Sequence, residues 1–264
     1  MINNKKYILV FLLGALTFWA YNKFAFPKVE QKIRPQISTT GIIGAMDEEV
    51  NILKDSMQVD TVIQKAGMDF YKGKINSKQI IVVKSGIGKV NAAIATQLLI
   101  DNFSVSNIIN TGVAGGLNDT LNIADIVIAK SLRYHDFDVS SFGYKIGKIP
   151  RMDTSVFYSD RMMMANILKN GRGLKYRIGY GDISSGDQFI ANEIQKNEIV
   201  NLFNSDAVEM ESAAIAHVCY LNNIPFVIVR SISDKANGEA PANYSKFENE
   251  AAIKSATLIL KSIN

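Results

Sequence analysis

The chain has 264 residues, 47% of them hydrophobic and 20% charged, which suits one large core and argues against disorder along most of its length. A single cysteine, Cys219, and two histidines, His135 and His217, exclude an internal disulfide, a cysteine-based zinc site and a His-rich metal site. The net charge of +4 is uneven: residues 1–40 hold six Lys or Arg against Glu30, hence +5, and the remainder carries 4 − 5 = −1, which argues against nucleic-acid binding.

Met1–Lys6 ends in two lysines and leads into an uncharged apolar run, Tyr7–Tyr21. That order is the order of a signal peptide or signal anchor, expected over residues 1–27. The run is shorter than the roughly 20 residues of a spanning helix; extending it to Phe26 reaches that length but takes in Asn22 and Lys23. Phe18 stands three residues before a cut after Ala20, a poor match to small-x-small. An uncleaved anchor through 7–26 is the first reading and a cleaved signal peptide the second. Either makes the protein exported or membrane-anchored. The side of the membrane stays open, because Lys28, Lys32 and Arg34 oppose Lys5 and Lys6. Residues 28–40, charged and carrying Pro35, read as a tether before a domain at 41–264.

Within that domain, short apolar runs alternate with helical patterns. Strands are expected at Gly41–Ala45, Ile80–Lys84, Ser106–Asn110, Ile126–Ala129, Tyr176–Ser184, Ala207–Val208 and Pro225–Ser231. Runs such as IIVV and FVIV lack polar alternation, as strands buried on both faces do. Helices are expected at Glu48–Asp55, Lys89–Asn102, Ser159–Lys169, Ala191–Leu202, Ser212–Asn222 and Tyr244–Ser262, with Val90, Ile94, Leu98 and Leu99 forming one apolar face. Such alternation implies an α/β fold, a mainly parallel sheet with helices on both faces, and a site beyond the carboxyl ends of the strands.

The residues just past each strand are therefore informative. The candidate strand ends lead into MDEE (46–49), SGIG (85–88), TGVAGG (111–116), GDQFI (186–190), EME (209–211) and SISD (231–234). No phosphate-binding GK[ST] loop, G-x-G-x-x-G or G-x-S-x-G is present. Acids and apolar surface remain, a composition suited to acid/base cleavage of a glycosidic or N-glycosidic bond. A carboxylate stabilises the positive charge that develops on the sugar, and a carboxylic acid with a raised pKa protonates the leaving group.

These segments resemble the 5′-methylthioadenosine/S-adenosylhomocysteine nucleosidases, of the purine nucleoside phosphorylase and nucleosidase fold. The matching stretches are GIIGAMDEEV (41–50), KSGIGKVNAA (84–93), INTGVAGGL (109–117), RYHDFDVSSFGY (133–144), SGDQFI (185–190), VEMESAAIAHVC (208–219) and RSISDKA (230–236), in family order over nearly all of 41–264. The resemblance implies a three-layer sandwich with a mixed, mainly parallel central sheet. It implies a homodimeric hydrolase without cofactor that releases adenine from methylthioadenosine, adenosylhomocysteine and 5′-deoxyadenosine, in methionine salvage and detoxification. It assigns Asp234 to protonate adenine N7, Glu49 to take a proton from the attacking water and Glu211 to hold the ribose 2′- and 3′-hydroxyls. Met210 packs on the sugar, Phe189 stacks on adenine, the Ile190 backbone reads the base edge, and Arg230 helps hold the water and Glu49. Met46, Ile87 and Tyr244 line the pocket for the 5′-substituent, with Phe142 and Pro150 of a second copy completing it. Val113 stands where many members carry Ser, and Tyr244 where Phe is frequent.

Each residue also has a plainer reading. Asp234 reads as a helix N-cap, Glu49 and Glu211 as first-turn acids, and Met210, Phe189 and Ile190 as core. His135 is expected to be a loop hydrogen-bonder, and His217 and Cys219 to be structural. Two other functions compete. A nucleoside phosphorylase would need cations at the glycine stretches, which offer Ser85 and Thr111 and no arginine. A surface protein binding sulfated glycosaminoglycans would use Lys169, Arg172, Lys175 and Arg177, a cluster that also reads as an ordinary solvated helix end and turn.

Overall fold

The computed structural model describes residues 38–263; the expected signal or anchor segment and most of the tether lie outside them. In chain order the elements are β1 (Thr39–Gly44), α1 (Asp47–Asp55), β2 (Gln58–Lys65), β3 (Met68–Ile75), β4 (Lys78–Lys84), α2 (Lys89–Phe103), β5 (Asn107–Gly116) and β6 (Ile126–Tyr134). They continue with β7 (Phe157–Tyr158), α3 (Arg161–Asn170), β8 (Ile178–Ser185), α4 (Glu193–Phe203), β9 (Ala207–Glu209), α5 (Ser212–Asn222), β10 (Phe226–Asp234) and α6 (Ala240–Ile263).

The strands form one mixed sheet in the order β10-β6-β8-β9-β5-β1-β4-β3-β2, with β7 against β6. Strand β10 also pairs with β5, so β5, β10, β6, β8 and β9 close into a ring. Parallel pairings run through the centre, β4–β1–β5–β10 and β6–β8–β9. Alternation along the strands feeds two cores. Ile43, Ile81 and Ile228 face α2 and α5 through Ala95, Leu99 and Ala213. Ile42, Val82 and Val229 face α1, α3 and α6 through Leu53, Ile167 and Leu258. Every residue of β10 is buried, as a strand covered on both faces requires.

Several expectations need correction. β1 begins at Thr39, inside the expected tether. The TGVAGG stretch is the second half of β5 rather than a loop, and β10 runs on through Asp234; the two pair from Phe226–Ile108 to Asp234–Gly115. Glycine's poor strand propensity hides this, while the pairing with β10 supplies what propensity lacks. The hairpin β2–β3 is absent from the expected elements. Strand β2 is largely exposed and therefore shows no apolar period. It turns into β3 through Ala66 (φ 49°) and Gly67 (φ 74°), the two-residue turn that matches strand twist. The expected face of α2 is half right: Leu99 is buried and Leu98 packs against the core, but Val90 is 69% exposed and Ile94 38%, and Ala92, Ala95 and Thr96 are buried instead. The small residues allow close packing on α5, leaving the larger ones outside. The first helical residue of α6 is Ala240, a turn earlier than expected, so Tyr244 lies within the helix.

Candidate active site

The carboxyl ends of β1, β5, β9 and β10 surround a cavity of about 460 Å³. Met46, Glu49, Ile87, Phe189, Met210, Glu211, Arg230, Asp234 and Tyr244, all expected from the sequence, line it together with Val113, Glu209 and Pro241. Ile190 lines a contiguous recess of about 30 Å³ shared with Phe189, Met210 and Asp234.

Glu49 enters from the first turn of α1 and is 1% exposed. Its Oε2 accepts the N–H groups of Ala45 (2.5 Å) and Met46 (3.2 Å), and its Oε1 accepts that of Val113 (3.1 Å). The capping role and the cavity role are thus both real. Burial pushes this carboxyl above its usual range, against the pull of Arg230 and the three N–H groups.

Asp234 stands just past an irregularity in the β10–β5 register, at Ser233, which re-aims the strand end. Its Oδ1 accepts Ala236 N–H at 2.8 Å and its Oδ2 the Ser233 hydroxyl at 2.9 Å. It caps no helix, since α6 starts only at Ala240. Burial raises this carboxyl against both donors.

Glu209, to which the sequence assigns no role, caps α5. Its Oε2 accepts the N–H groups of Glu211 (3.0 Å) and Ser212 (2.8 Å), while Ser185 Oγ donates to Oε1. That arrangement releases the Glu211 side chain, whose Oε1 accepts Gly88 N–H at 2.9 Å at the head of α2. The signal is the paired acid in VEMES, but which acid caps and which faces the cavity depends on backbone direction.

Arg230, 1% exposed, ties the acids together. Its Nη2 lies 2.5 Å from Glu209 Oε2 and 3.3 Å from Glu211 Oε2, and its Nη1 lies 3.9 Å from Glu49 Oε1. It also donates to Asn110 Oδ1, Ser212 Oγ and Val113 O. Gly112 permits this packing: a Cβ there would collide with Arg230 Nη1 and stand 2.6 Å from Glu49 Oε1. One guanidinium cannot neutralise three buried carboxylates, and Glu211 is accordingly pushed up to about 7, by burial first, with Arg230 opposing and Glu209 and Glu49 adding.

The Glu211 shift sets a pH dependence. A carboxyl raised from 4.5 to about 7 on folding contributes stability that is full below about 4.5 and lost as pH rises through about 7. The parent chain is expected to lose stability relative to Glu211→Gln across that window and to level off above it. Urea unfolding of both proteins at several pH values measures the difference; a difference independent of pH refutes the shift.

At the mouth, Phe189 is 45% exposed and meets the Tyr244 ring edge-on, with centroids 5.5 Å apart. The Tyr244 hydroxyl donates to Met46 Sδ at 3.1 Å. His135 differs from expectation: it is buried, its Nε2 has no hydrogen-bond partner, and its backbone N–H donates to Ser185 O. Cys219 lies in the α2–α5 side of the core, and half-buried His217 stacks on Phe157, with Tyr134 Oη 3.2 Å from its Nδ1. Phe142 is 81% exposed in a single copy and Pro150 is half-buried, and neither lines this cavity.

The fold and this acid-lined cavity define a member of the phosphorylase superfamily, whose family model matches residues 39–264. A 5′-methylthioadenosine/S-adenosylhomocysteine nucleosidase of Staphylococcus haemolyticus is 44% identical over 220 residues, covering 83% of this chain and 96% of that protein. One from Neisseria meningitidis, solved with methylthio-immucillin-A, matches with a TM-score of 0.83 and 36% identity over 86% of this chain and 99% of that one. Futalosine hydrolase of Helicobacter pylori matches with a TM-score of 0.83 and 34% identity over 86% and 97%. Within the superfamily, the chain belongs to the 5′-methylthioadenosine/S-adenosylhomocysteine nucleosidases.

Proposed function

We propose that the protein hydrolyses the N-glycosidic bond of 5′-methylthioadenosine and S-adenosylhomocysteine, and of 5′-deoxyadenosine, giving adenine and the free 5-substituted ribose. The observation that carries this reading is the placement of two buried acids with raised pKa values, Glu49 and Asp234, on the walls of one apolar cavity. Asp234 gives its proton to adenine N7, and the C1′–N9 electron pair leaves with the base. Water bonds to C1′ and yields a proton to Glu49. Glu211 accepts from the 2′- and 3′-hydroxyls, and its charge faces the cation growing on the sugar. Phe189 and Met210 cover base and sugar, the Ile190 backbone meets the base edge, and Arg230 orients Glu49. Met46, Ile87 and Tyr244 receive the 5′-substituent.

Release of adenine from methylthioadenosine by the purified protein in phosphate-free buffer tests the reaction. Release only on adding phosphate would make it a phosphorylase instead. Arg230 does lie beside the glycine stretch of β5, but its donors are engaged by the acids and backbone around it.

A homodimer suits the exposed apolar residues Ile87, Val90, Ile94 and Phe142, which a second copy would cover while lending Phe142 and Pro150 to the 5′-pocket. Sedimentation is expected to give a dimer that Val90→Glu weakens; a parent chain that sediments as a monomer rejects it. The basic-then-apolar order of residues 1–27 supports export or membrane anchoring, and membrane fractionation of the full chain tests it. Lys169, Arg172, Lys175 and Arg177 are all exposed, which leaves sulfated polysaccharide as a second ligand class. Heparin retention unchanged on neutralising all four would reject that cluster.

A further inference from the structure

Two of the residues at the cavity mouth are weakly held by packing: Ile87 is 53% exposed and Phe189 45%. Behind them lies a charged cluster that the reaction does not use. Lys89, the first residue of α2, donates from Nζ to Asp136 Oδ2 at 2.5 Å, and the same ammonium lies 3.6 Å from Asp187 Oδ2. The Lys89 backbone N–H donates to Asp187 Oδ1 at 2.9 Å, and Asp187 N–H donates to Asp136 Oδ2 at 2.9 Å. Burial alone would raise the Asp136 carboxyl, but Lys89 and the Asp187 N–H together hold it below its usual range.

The three residues come from three segments. Lys89 follows Ile87 and Gly88, whose N–H engages Glu211. Asp187 precedes Phe189 and Ile190 by two and three positions, and Asp136 leaves β6. Exposed ion pairs contribute little. This one differs, because the side chains of Lys89 and Asp136 are only 24% and 15% exposed and two backbone N–H groups join the network. Gly88, at φ 98°, also brings the turn close: a Cβ there would lie 3.3 Å from Asp187 Oδ1.

We propose that Lys89, Asp136 and Asp187 form a positioning clasp that fixes the segment carrying Phe189 and Ile190 against the head of α2, so that the base-binding surface is assembled before substrate arrives. The proposal rests on the reading that Phe189 and Ile190 receive the purine. Loss of the clasp lowers the fraction of binding-competent protein and weakens apparent affinity by that fraction, while chemistry in the bound state is untouched.

Lys89→Met is therefore expected to raise KM for methylthioadenosine and Kd for adenine by the same factor, about tenfold, with kcat within about twofold. Lys89→Arg, which keeps the charge, is expected to restore most of the affinity and to melt with the parent, whereas Lys89→Met melts lower because it leaves Asp136 without its cation. An active parent whose Lys89→Met variant keeps its KM and adenine Kd, or loses kcat instead, overturns the clasp alone. Equal losses in Lys89→Met and Lys89→Arg would also overturn it. A parent chain that releases no adenine overturns the underlying reading and the clasp with it.

Discussion

Asp234→Asn is expected to lower kcat by about a thousandfold, within the range that a positioned general acid contributes, while KM changes by no more than a few-fold. The geometry allows this substitution without disturbing the fold. The new Oδ1 still accepts Ala236 N–H, and the amide NH₂ faces the Ser233 hydroxyl, which is free to turn toward Ala114 O, 3.4 Å away. What disappears is the proton. An amide can hydrogen-bond to N7 but cannot transfer charge to it, so the C1′–N9 bond must break with a poorer leaving group. Single-turnover release of adenine, measured beside the circular dichroism melt, separates the two effects. A variant with near-parental turnover would remove Asp234 from the acid role, and a variant that fails to fold would show that the carboxylate is structural.

Arg230→Met is expected to be the most destabilising single change in the site. It removes the positive charge from Glu209, Glu211 and Glu49, all of which are buried. Breaking a buried ion pair on one side costs about 3–5 kcal/mol. For a domain of this size that corresponds to a fall in Tm of roughly 6–20 °C. The deficit carries a pH signature. Without the guanidinium the Glu49 and Glu211 carboxyls rise further, so the variant's missing stability is largest above neutral pH and shrinks as acid supplies the protons. Calorimetry at mildly acidic and mildly basic pH checks this. A loss of a degree or two at basic pH would mean that the acids do not depend on Arg230.

Much of the site is legible in the sequence because its residues sit at strand ends. A run such as FVIVRSISD announces a buried strand, and whatever polar residue ends it must face the cleft. Asp234, Glu49 and Glu211 stand out in that way, and the fold brings them together. The division of labour among them is not legible. Glu209 and Glu211 are two residues apart, and only the turn of the backbone before α5 decides that one caps and the other faces the cavity. The continuation of β5 through TGVAGG is hidden because glycine carries no strand signal; pairing with β10 produces it. The β2–β3 hairpin escapes because a strand exposed on both faces has no apolar period to read. The outward position of Val90 and Ile94 defeats the pattern because apolar period alone does not say which face of a helix meets small residues on its neighbour.

The imbalance around Arg230 also bears on which nucleophile can enter. One cation serves three carboxylates, and Asp234 lines the same cavity. Glu49, Asp234 and Glu211 hold their protons more tightly than free carboxyls do, and each proton given up adds negative potential within low-dielectric walls. A phosphate ion would have to cross that field against like charge, whereas water crosses it at no electrostatic cost. The same field favours an electron-deficient sugar as its bond to the base opens. The acid cluster thus disfavours an anionic nucleophile by charge and favours water.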